Sequence, residues 1–215
     1  MSGWMLHPAL GFELPGGRAR LEPLTLSHAR GLLDAIDAPD LWRYMPVASP
    51  GTLGEMESVI AAAMEETGAG RGVAFAIIDR RTGRACGSTR YLDPQPANRS
   101  IEIGWTWLSR AVQRTAINRE CKYLLLRHAF EVMGCVRVQL RCDGRNAQSQ
   151  AAIAGLGAAR EGVLRRHRVM WDGYIRDTVF FSILDDEWPR VAAGLLERLG
   201  RGAEAPSATG GRDRG

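Results

Sequence analysis

The sequence has no run of about 18 consecutive apolar residues, the length that a membrane-spanning helix requires. We therefore expect no such helix and no membrane partner. The first 17 residues also lack the order of a basic and then an apolar segment that is typical of a secretory signal peptide, which favours a cytoplasmic location. Lysine is nearly absent too. Lys122 is the single lysine, so nearly all of the positive charge comes from arginine.

The four cysteines include no Cys-x-x-Cys pair and no zinc-site spacing. This pattern excludes the usual structural zinc arrangements, so we expect no metal, and it favours buried, reduced thiols in a cytosolic protein. Cys142 has no histidine or acidic partner beside it that would activate it as a nucleophile, and we assign it to the core.

The net charge of +4 is too small to indicate nucleic acid by itself, whereas a small acidic ligand such as a nucleotide requires no more. We expect no nucleic-acid partner. An arginine-rich nucleic-acid binder remains a minor alternative, and it predicts an affinity that falls steeply with salt.

The length of 215 residues is enough for one domain with a core of its own. We place a partly ordered arm at residues 1–17, one domain at 18–199 and a disordered tail at 200–215. Strand-like and helix-like segments follow the order β α α β β β α β α β β, with a last helix after them. This mixed order, with one βαβ step, predicts an α+β fold with about seven strands. Asp172-Gly173 indicates a hairpin between the final two strands.

The chain is organised around a strand, a loop and a helix within residues 101–134. The strand at 101–108 is rich in β-branched and aromatic residues, and the loop occupies 109–115. Apolar residues then recur near the helical period until Gly134 ends the helix. They are Ile117, Cys121, Leu124, Leu125, Ala129, Val132 and Met133.

A helix that begins beside the end of a strand points free backbone N–H groups at the gap, and anions bind there. Arg110, Arg114 and Arg119 surround this helix start. The pattern therefore predicts a ligand that carries phosphate.

Several short motifs, in order, resemble the GCN5-related N-acetyltransferases (GNAT) over about Arg18 to Pro189. They are Leu-Glu-Pro-Leu at the start, the strand at 101–108, Ala-Phe-Glu late in the main helix, Asn-x-x-Ser with a later Leu-Gly, and the final hairpin. The branch that it resembles acetylates the N-termini of ribosomal proteins. The resemblance implies a mostly antiparallel sheet with a central splayed parallel pair and about four flanking helices. It also implies acetyl-CoA, or another acyl-CoA, and a primary amine as acceptor, either a protein N-terminus or a small amine.

By this resemblance, the pantetheine arm of the cofactor lies between the two splayed strands and pairs with the backbone of Trp105, Thr106, Trp107 and Leu108. The diphosphate is expected at the loop formed by Gln113, Arg114, Thr115, Ala116, Ile117 and Asn118. The family usually has small residues at the places of Ala116 and Asn118, where glycine lets phosphate approach the backbone closely. The alternative is an ordinary connection that binds no ligand.

An N-acyltransferase must take a proton from an ammonium group, hold the thioester carbonyl and release a thiolate. Glu102 is the candidate general base, with Ile101 and Ile103 facing the other side of the sheet. A salt-bridged structural carboxylate is the alternative. Ser149 matches the serine that protonates the leaving thiolate and lies at the cofactor, and Asn146 matches the asparagine that contacts the pantetheine. A surface serine and a helix cap are the alternatives.

The acceptor side is expected at an aromatic and basic segment, Trp42, Arg43 and Tyr44. A hydrophobic plug for the sheet edge is the alternative reading of that segment. A basic strand face formed by Arg165, Arg166 and Arg168 is either solvated or attracts an acidic acceptor or an acyl group with a carboxylate. His167 should point away from Arg168, because side chains alternate along a strand.

An exposed Trp107 or the final hairpin is the candidate surface for a homodimer. The alternative to an enzyme is a non-catalytic acyl-CoA-binding or regulatory protein on the same fold. The altered diphosphate loop motivates this alternative, and so does Arg168, which stands where related serine N-acetyltransferases carry a second carboxylate.

Overall fold

The structure, a computed structural model, describes residues 11–200. Eight strands form one sheet: β1 (Phe12–Glu13), β2 (Ala19–Pro23), β3 (Gly72–Asp79), β4 (Arg84–Gln95), β5 (Ser100–Leu108), β6 (Arg137–Asp143), β7 (Ala159–Val169) and β8 (Ile175–Leu184). The α-helices are α1 (Ala29–Asp34), α2 (Leu53–Gly68), α3 (Ile117–Arg127), α4 (Ala147–Ala154) and α5 (Trp188–Arg198). Of the predicted arm and tail, residues 1–10 and 201–215 lie outside the described part. Within 11–200, no helix is long and apolar enough to cross a membrane.

The strands have the order β1-β2-β3-β4-β5-β6-β8-β7, and only β5 and β6 are parallel neighbours. This arrangement confirms the predicted mixed fold with a single parallel pair near the centre. The additional strand is the short β1, whose Phe12 lies opposite Leu21 of β2. The predicted hairpin joins β7 to β8, and Gly173 adopts the positive φ of 81° that its turn requires.

Helices cover the sheet on both faces, over two separate apolar clusters. The larger cluster lies under α3, α4 and α5 and includes Ile101 and Ile103 of β5 together with Leu125 of α3. The smaller cluster lies under α1 and α2, where Ile60 packs against β3. Because side chains alternate along a strand, residues between Ile101 and Ile103 point toward the α1–α2 side.

The main helix has the predicted apolar face, but its last turn departs from the pattern. Ile117 and Leu125 are fully buried. After α3 the chain makes one π-helical turn, His128–Val132. A π turn contains an extra residue and rotates the positions that follow, so Val132 is 67% exposed although the period predicted it to be buried. Gly134 ends the segment with a φ of 66°, as predicted.

The parallel strands β5 and β6 pair over a short length and then separate. Their pairing runs from Ser100 opposite Arg137 to Glu102 opposite Gln139. Beyond that point β5 pairs only with β4, and β6 pairs only with β8. The predicted gap is present, and it opens after Glu102, before the segment from Trp105 to Leu108 that is expected to pair with the pantetheine arm.

A β-bulge changes the direction of the side chains along the open part of β5. The register against β4 shifts between Ser88 and Arg90, and Trp105 adopts a φ of 49°. Such a backbone conformation costs on the order of 1–3 kcal/mol for a bulky residue. The extra residue puts Trp105 on the face opposite to Ile103. Trp107 also packs in the smaller cluster and is 5% exposed, so the prediction of an exposed dimer surface at Trp107 is wrong.

Candidate active site

The gap between β5 and β6 begins at a buried carboxylate. Glu102 is 3% exposed and lies on the face opposite to Ile101 and Ile103, as the alternation predicted. Its Oε1 lies 2.8 Å from Arg141 Nε, and its Oε2 accepts a hydrogen bond from Gln139 Nε2 at 3.2 Å. Burial raises the pKa of Glu102, and the charge of Arg141 opposes part of this rise. A carboxylate with a raised pKa is suited to accept a proton near neutral pH.

The loop after β5 leaves backbone N–H groups free at the start of α3. Arg114 adopts a left-handed φ of 59°, and α3 begins at Ile117. Five N–H groups have no acceptor among residues 11–200, namely those of Arg114, Thr115, Ala116, Asn118 and Arg119. A helix N-terminus that adjoins such a turn binds phosphate oxygens well. The donor set therefore fits a diphosphate, and no side chain of the described part accepts from it.

The edge of β5 that faces the gap is open along most of the predicted cofactor strand. Beyond Glu102 this edge has no β6 partner, so the backbone of Trp105 and Thr106 is available on that side. Leu108 differs, because its carbonyl accepts a hydrogen bond from Gln113 Nε2 at 3.0 Å. The open edge offers backbone donors and acceptors to an extended ligand arm, as the separated ends of parallel strands do in other folds.

Helix α4 begins at the same open end of the gap. Asn146 caps it, because its side-chain oxygen accepts from the backbone N–H of Ser149 at 2.9 Å. The hydroxyl of Ser149 lowers the pKa of the Cys142 thiol, against the rise that burial causes. Gln148 Nε2 donates to Gln113 Oε1 at 3.2 Å, which joins the first turn of α4 to the loop after β5. The structure thus brings Asn146 and Ser149 to the same opening as the free amide groups.

The predicted acceptor segment is partly buried. Trp42 is 2% exposed, and its ring packs against Trp107 with centroids 5.5 Å apart, so it offers no surface to a substrate. Arg43 is exposed. Tyr44 is half-buried, and its hydroxyl lies 3.4 Å from the carbonyl oxygen of Arg145, between β6 and α4. Tyr44 and Arg43 are therefore the members of this segment that lie at the surface, and Trp42 supports them from below.

Arginines from three strands lie on the same face as Glu102. Arg141 of β6 contacts the carboxylate directly. Arg168 of β7 and Arg176 of β8 lie opposite one another, and the charge of Arg168 lowers the pKa of Glu102. Of Arg141, Arg168 and Arg176, the sequence pattern indicated only Arg168. It missed Arg141 and Arg176, because their convergence depends on the strand order β6-β8-β7, which alternation within one strand does not show.

His167 shares this face with Arg168, so the prediction that it points away is wrong. The register of β7 against β8 shifts between Leu164 and Arg168, and Arg166 has a φ of 50°. This bulge rotates the strand, and His167 Nδ1 lies 3.1 Å from Thr178 Oγ1. Burial lowers the pKa of His167, and the nearby arginines lower it further.

The single lysine lies beneath the bulge of β5. Lys122 Nζ donates to Thr106 Oγ1 at 2.6 Å, and Thr106 Oγ1 lies 2.8 Å from Thr89 Oγ1. Burial lowers the pKa of Lys122 to about 8. No motif singled out this network, since it depends on the bulge that turns Thr106 toward α3.

The cysteines are buried and unpaired within the described residues. Burial raises the pKa of Cys142 and raises that of Cys135 to about 11. A thiol with a raised pKa is a poor nucleophile at neutral pH. The placement of Cys142 in the core agrees with the sequence, and it leaves Glu102 as the basic group at the gap.

The fold, the gap and the amide loop together are the features of an acyl-CoA-dependent acyltransferase. The profile of the acetyltransferase (GNAT) domain family matches residues 18–159. The chain therefore belongs to the GNAT family, in agreement with the resemblance of its motifs. It is an N-acetyltransferase, and its acyl donor is acetyl-CoA. No curated protein matches the sequence.

Solved structures show the same relationship. A GCN5-related N-acetyltransferase from Brucella melitensis is 30% identical, with 88% of this chain and 85% of that chain covered and a TM-score of 0.82. Mycobacterium smegmatis RimJ in complex with CoA-disulfide is 25% identical, with 87% and 91% covered and a TM-score of 0.74. A third structure, which carries only an inferred acetyltransferase assignment, is 38% identical over 91% and 96%, with a TM-score of 0.81. The similarity extends over nearly the whole length of each of these chains.

Proposed function

We propose that this acetyltransferase transfers the acetyl group to a primary amine by direct attack, with Glu102 as the general base. The observation that carries the proposal is the position of Glu102, a buried carboxylate with a raised pKa at the point where β5 and β6 part. A protein N-terminus titrates at about 8 and a lysine amine at about 10.4, so a base is needed to free the attacking lone pair near neutral pH.

Several groups of the chain support the binding of the donor in the gap. The free N–H groups from Arg114 to Arg119 fit the diphosphate, and the open edge of β5 from Trp105 fits the pantetheine arm. The likeness to RimJ, whose structure contains CoA-disulfide, supports this placement. When bound, acetyl-CoA supplies an activated thioester carbonyl. Asn146 orders the first turn of α4 and thereby positions Ser149 beside the opening.

The proton balance assigns a role to each polar group. Glu102 takes one proton from the ammonium group of the acceptor. The amine nitrogen then forms the new bond to the acyl carbon, and the bond from carbon to sulfur breaks. The second nitrogen-bound proton is transferred to the departing thiolate, and Ser149 at the rim of the gap serves as its donor or relay. Exposed backbone N–H groups of β5 polarise the acyl carbonyl.

Direct attack makes a prediction that separates it from a covalent route. Incubation with acetyl-CoA alone should leave the protein mass unchanged, and thiol release should require an added amine, either a peptide N-terminus or a small amine. An acetylated enzyme that is chemically competent to transfer its acetyl group would contradict direct attack. Absence of thiol release with every amine, together with tight CoA binding, would instead support a non-catalytic role.

We also propose that the final hairpin is the surface of a homodimer. Because Trp107 is buried, the hairpin is the remaining candidate. It exposes six large apolar side chains: Val163, Leu164, Val169, Trp171, Ile175 and Leu184. Exposed apolar side chains that cluster on one element often mark an interaction surface. Sedimentation of the protein and of a Val169→Glu variant tests this, since a monomer in both cases contradicts the proposal.

A further inference from the structure

The arginines beside Glu102 carry more positive charge than the chain itself neutralises. Arg168 and Arg176 lie directly opposite one another on β7 and β8. Like charges in this position are destabilising. Neither side chain forms a salt bridge within residues 11–200. The carboxylates whose charges raise the pKa values of Arg168 and Arg176 are already engaged, since Glu102 pairs with Arg141 and the buried Asp143 pairs with Arg145.

Arg176 is the member of this group that solvent screens least. It is 8% exposed, and its Nε has no hydrogen-bond partner in the described part of the chain. A buried donor without an acceptor is costly, and the cost is greater when the group is charged. Burial lowers the pKa of Arg176, and the charges of Arg168 and Arg141 lower it further, although Asp143 partly offsets them.

The same sheet face shows how this chain normally satisfies an arginine. Arg137 Nη1 and Nη2 lie 2.5 and 2.6 Å from the two carboxylate oxygens of Glu161. That two-point pairing is the preferred geometry of guanidinium with carboxylate. Arg168 and Arg176 lack an equivalent partner within residues 11–200. A carboxylate from outside the chain would pair with them as Glu161 pairs with Arg137.

The face on which the group lies indicates which substrate would bring that carboxylate. The free amide groups belong to the start of α3, and α3 covers the opposite face of the sheet. A donor held there reaches the gap from the α3 side. Glu102 and its arginines face the other side, beside the segment that carries Tyr44. The acceptor amine must reach Glu102 from this second side.

We propose that Arg141, Arg168 and Arg176 form a binding subsite for a carboxylate group on the amine acceptor. The inference rests on the proposed function and names its substrate class, a primary amine whose side chain carries a carboxylate. Free acidic amino acids and peptides with an acidic N-terminal residue share this chemistry. The guanidinium groups hold the carboxylate and so orient the amine toward Glu102.

The test compares each acid with the counterpart in which the side-chain carboxylate is replaced by an uncharged amide. Glutamate is paired with glutamine, and a short peptide that begins with Asp is paired with the same peptide beginning with Asn. For at least one pair, kcat/KM should be about tenfold or more in favour of the acid, the size expected for one lost charge-assisted bidentate contact. The amino-acid pair and the peptide pair distinguish the two sources of the carboxylate.

Variants locate the preference in the structure. Arg168→Gln and Arg176→Gln should reduce it to about one, because the enzyme then lacks the guanidinium contact that distinguishes the acid from the amide. Arg160→Gln, an exposed arginine on the same strand β7, is the matched control and should retain the preference. If Arg176→Gln does not fold, the partly exposed Arg168 carries the test. Equal use of acid and amide by the wild type overturns the inference, as does a preference that survives both substitutions.

Failure of the proposed function is distinguished by binding measurements that need no turnover. Calorimetry with N-acetylglutamate and N-acetylglutamine probes the subsite directly. Tighter binding of the acid that Arg168→Gln abolishes supports the subsite even if no amine is acetylated. Equal or absent binding of both compounds contradicts it. A charge preference that appears only for succinyl-CoA over acetyl-CoA would assign the arginines to the donor and would also overturn the inference.

Discussion

Arg141 Nε lies 2.8 Å from Glu102 Oε1, so the candidate base and the first arginine of the proposed subsite form one ion pair. This contact joins proton acceptance to recognition of the acceptor. A substrate carboxylate that binds the arginines competes with Glu102 for Arg141 and weakens the ion pair between Arg141 and Glu102. The pKa of Glu102 would then rise further in the presence of an acidic acceptor, because less positive charge is directed at it.

Replacement of Glu102 by glutamine should lower kcat/KM about 100-fold at pH 7, the usual contribution of a positioned base. The loss should shrink as the pH rises toward 9 to 10, because the acceptor amine then loses its proton without help. Initial rates of thiol release between pH 6 and 10 measure this. Glu161→Gln is the matched control, since Glu161 lies on the same face in an arginine pair. A loss that stays constant across pH would remove Glu102 as the base.

Arg141→Met should shift the rising limb of kcat/KM to higher pH. Loss of the guanidinium raises the pKa of Glu102 further, and the base acts only when it is ionised. An unchanged pH profile would contradict the role of this pair.

The same variant should change stability with a defined sign. The pKa of Glu102 in the folded state is raised above its ordinary value of 4.5. Between these two pKa values the folded state binds more protons than the unfolded state, so the free energy of unfolding falls as the pH rises. The fall should be steeper in Arg141→Met, with an additional loss of about 1–3 kcal/mol at pH 8 because the partner is only partly buried. Thermal unfolding at pH 5 and pH 8 measures both effects.

Asn118→Asp should raise the KM for acetyl-CoA about tenfold with little change in kcat. A carboxylate beside the free amide groups repels the diphosphate, and about 1.4 kcal/mol corresponds to a factor of ten. Asn118→Gly restores the small residue usual in the family and should bind the donor at least as well as the wild type. Equal KM values for the two variants would place the diphosphate elsewhere.

Lys122→Met should change the pH dependence of stability. The folded pKa of Lys122 is about 8 against 10.5 ordinarily, so the unfolded state binds more protons between these values and stability rises with pH across this window. Between pH 8 and 10.5, the free energy of unfolding of the wild type should increase by on the order of 2–3 kcal/mol relative to that of Lys122→Met. Thr106→Val removes the hydrogen-bond acceptor and keeps the amine, so it should retain the gain. Parallel curves for wild type and Lys122→Met would contradict the buried, titrating amine.

Much of the fold followed from local patterns. The Asp172-Gly173 turn, the alternation around Glu102 and the apolar face of α3 predicted the hairpin, the orientation of Glu102 and the burial of Ile117. These features depend on neighbours within a few residues, and such patterns are visible in one sequence.

The errors arose where one extra residue shifts the repeat that decides which side chains face the core. The π turn exposed Val132, and the bulges at Trp105 and Arg166 reversed the faces of the residues that follow them. A bulge obeys the pairing of two strands rather than the pattern of one. For the same reason, the placement of Arg141 and Arg176 on one face of the sheet could be predicted only with the strand order of the folded protein.

Lys122 is the only lysine of the chain, and it is 5% exposed beneath β5. All other Lys and Arg positive charge is guanidinium, which keeps its proton at any physiological pH. An enzyme built to make amines reactive toward a thioester therefore presents no ε-amino group of its own as a competing target. A labelling reagent for ε-amino groups should therefore leave residues 11–200 of the native protein unmodified.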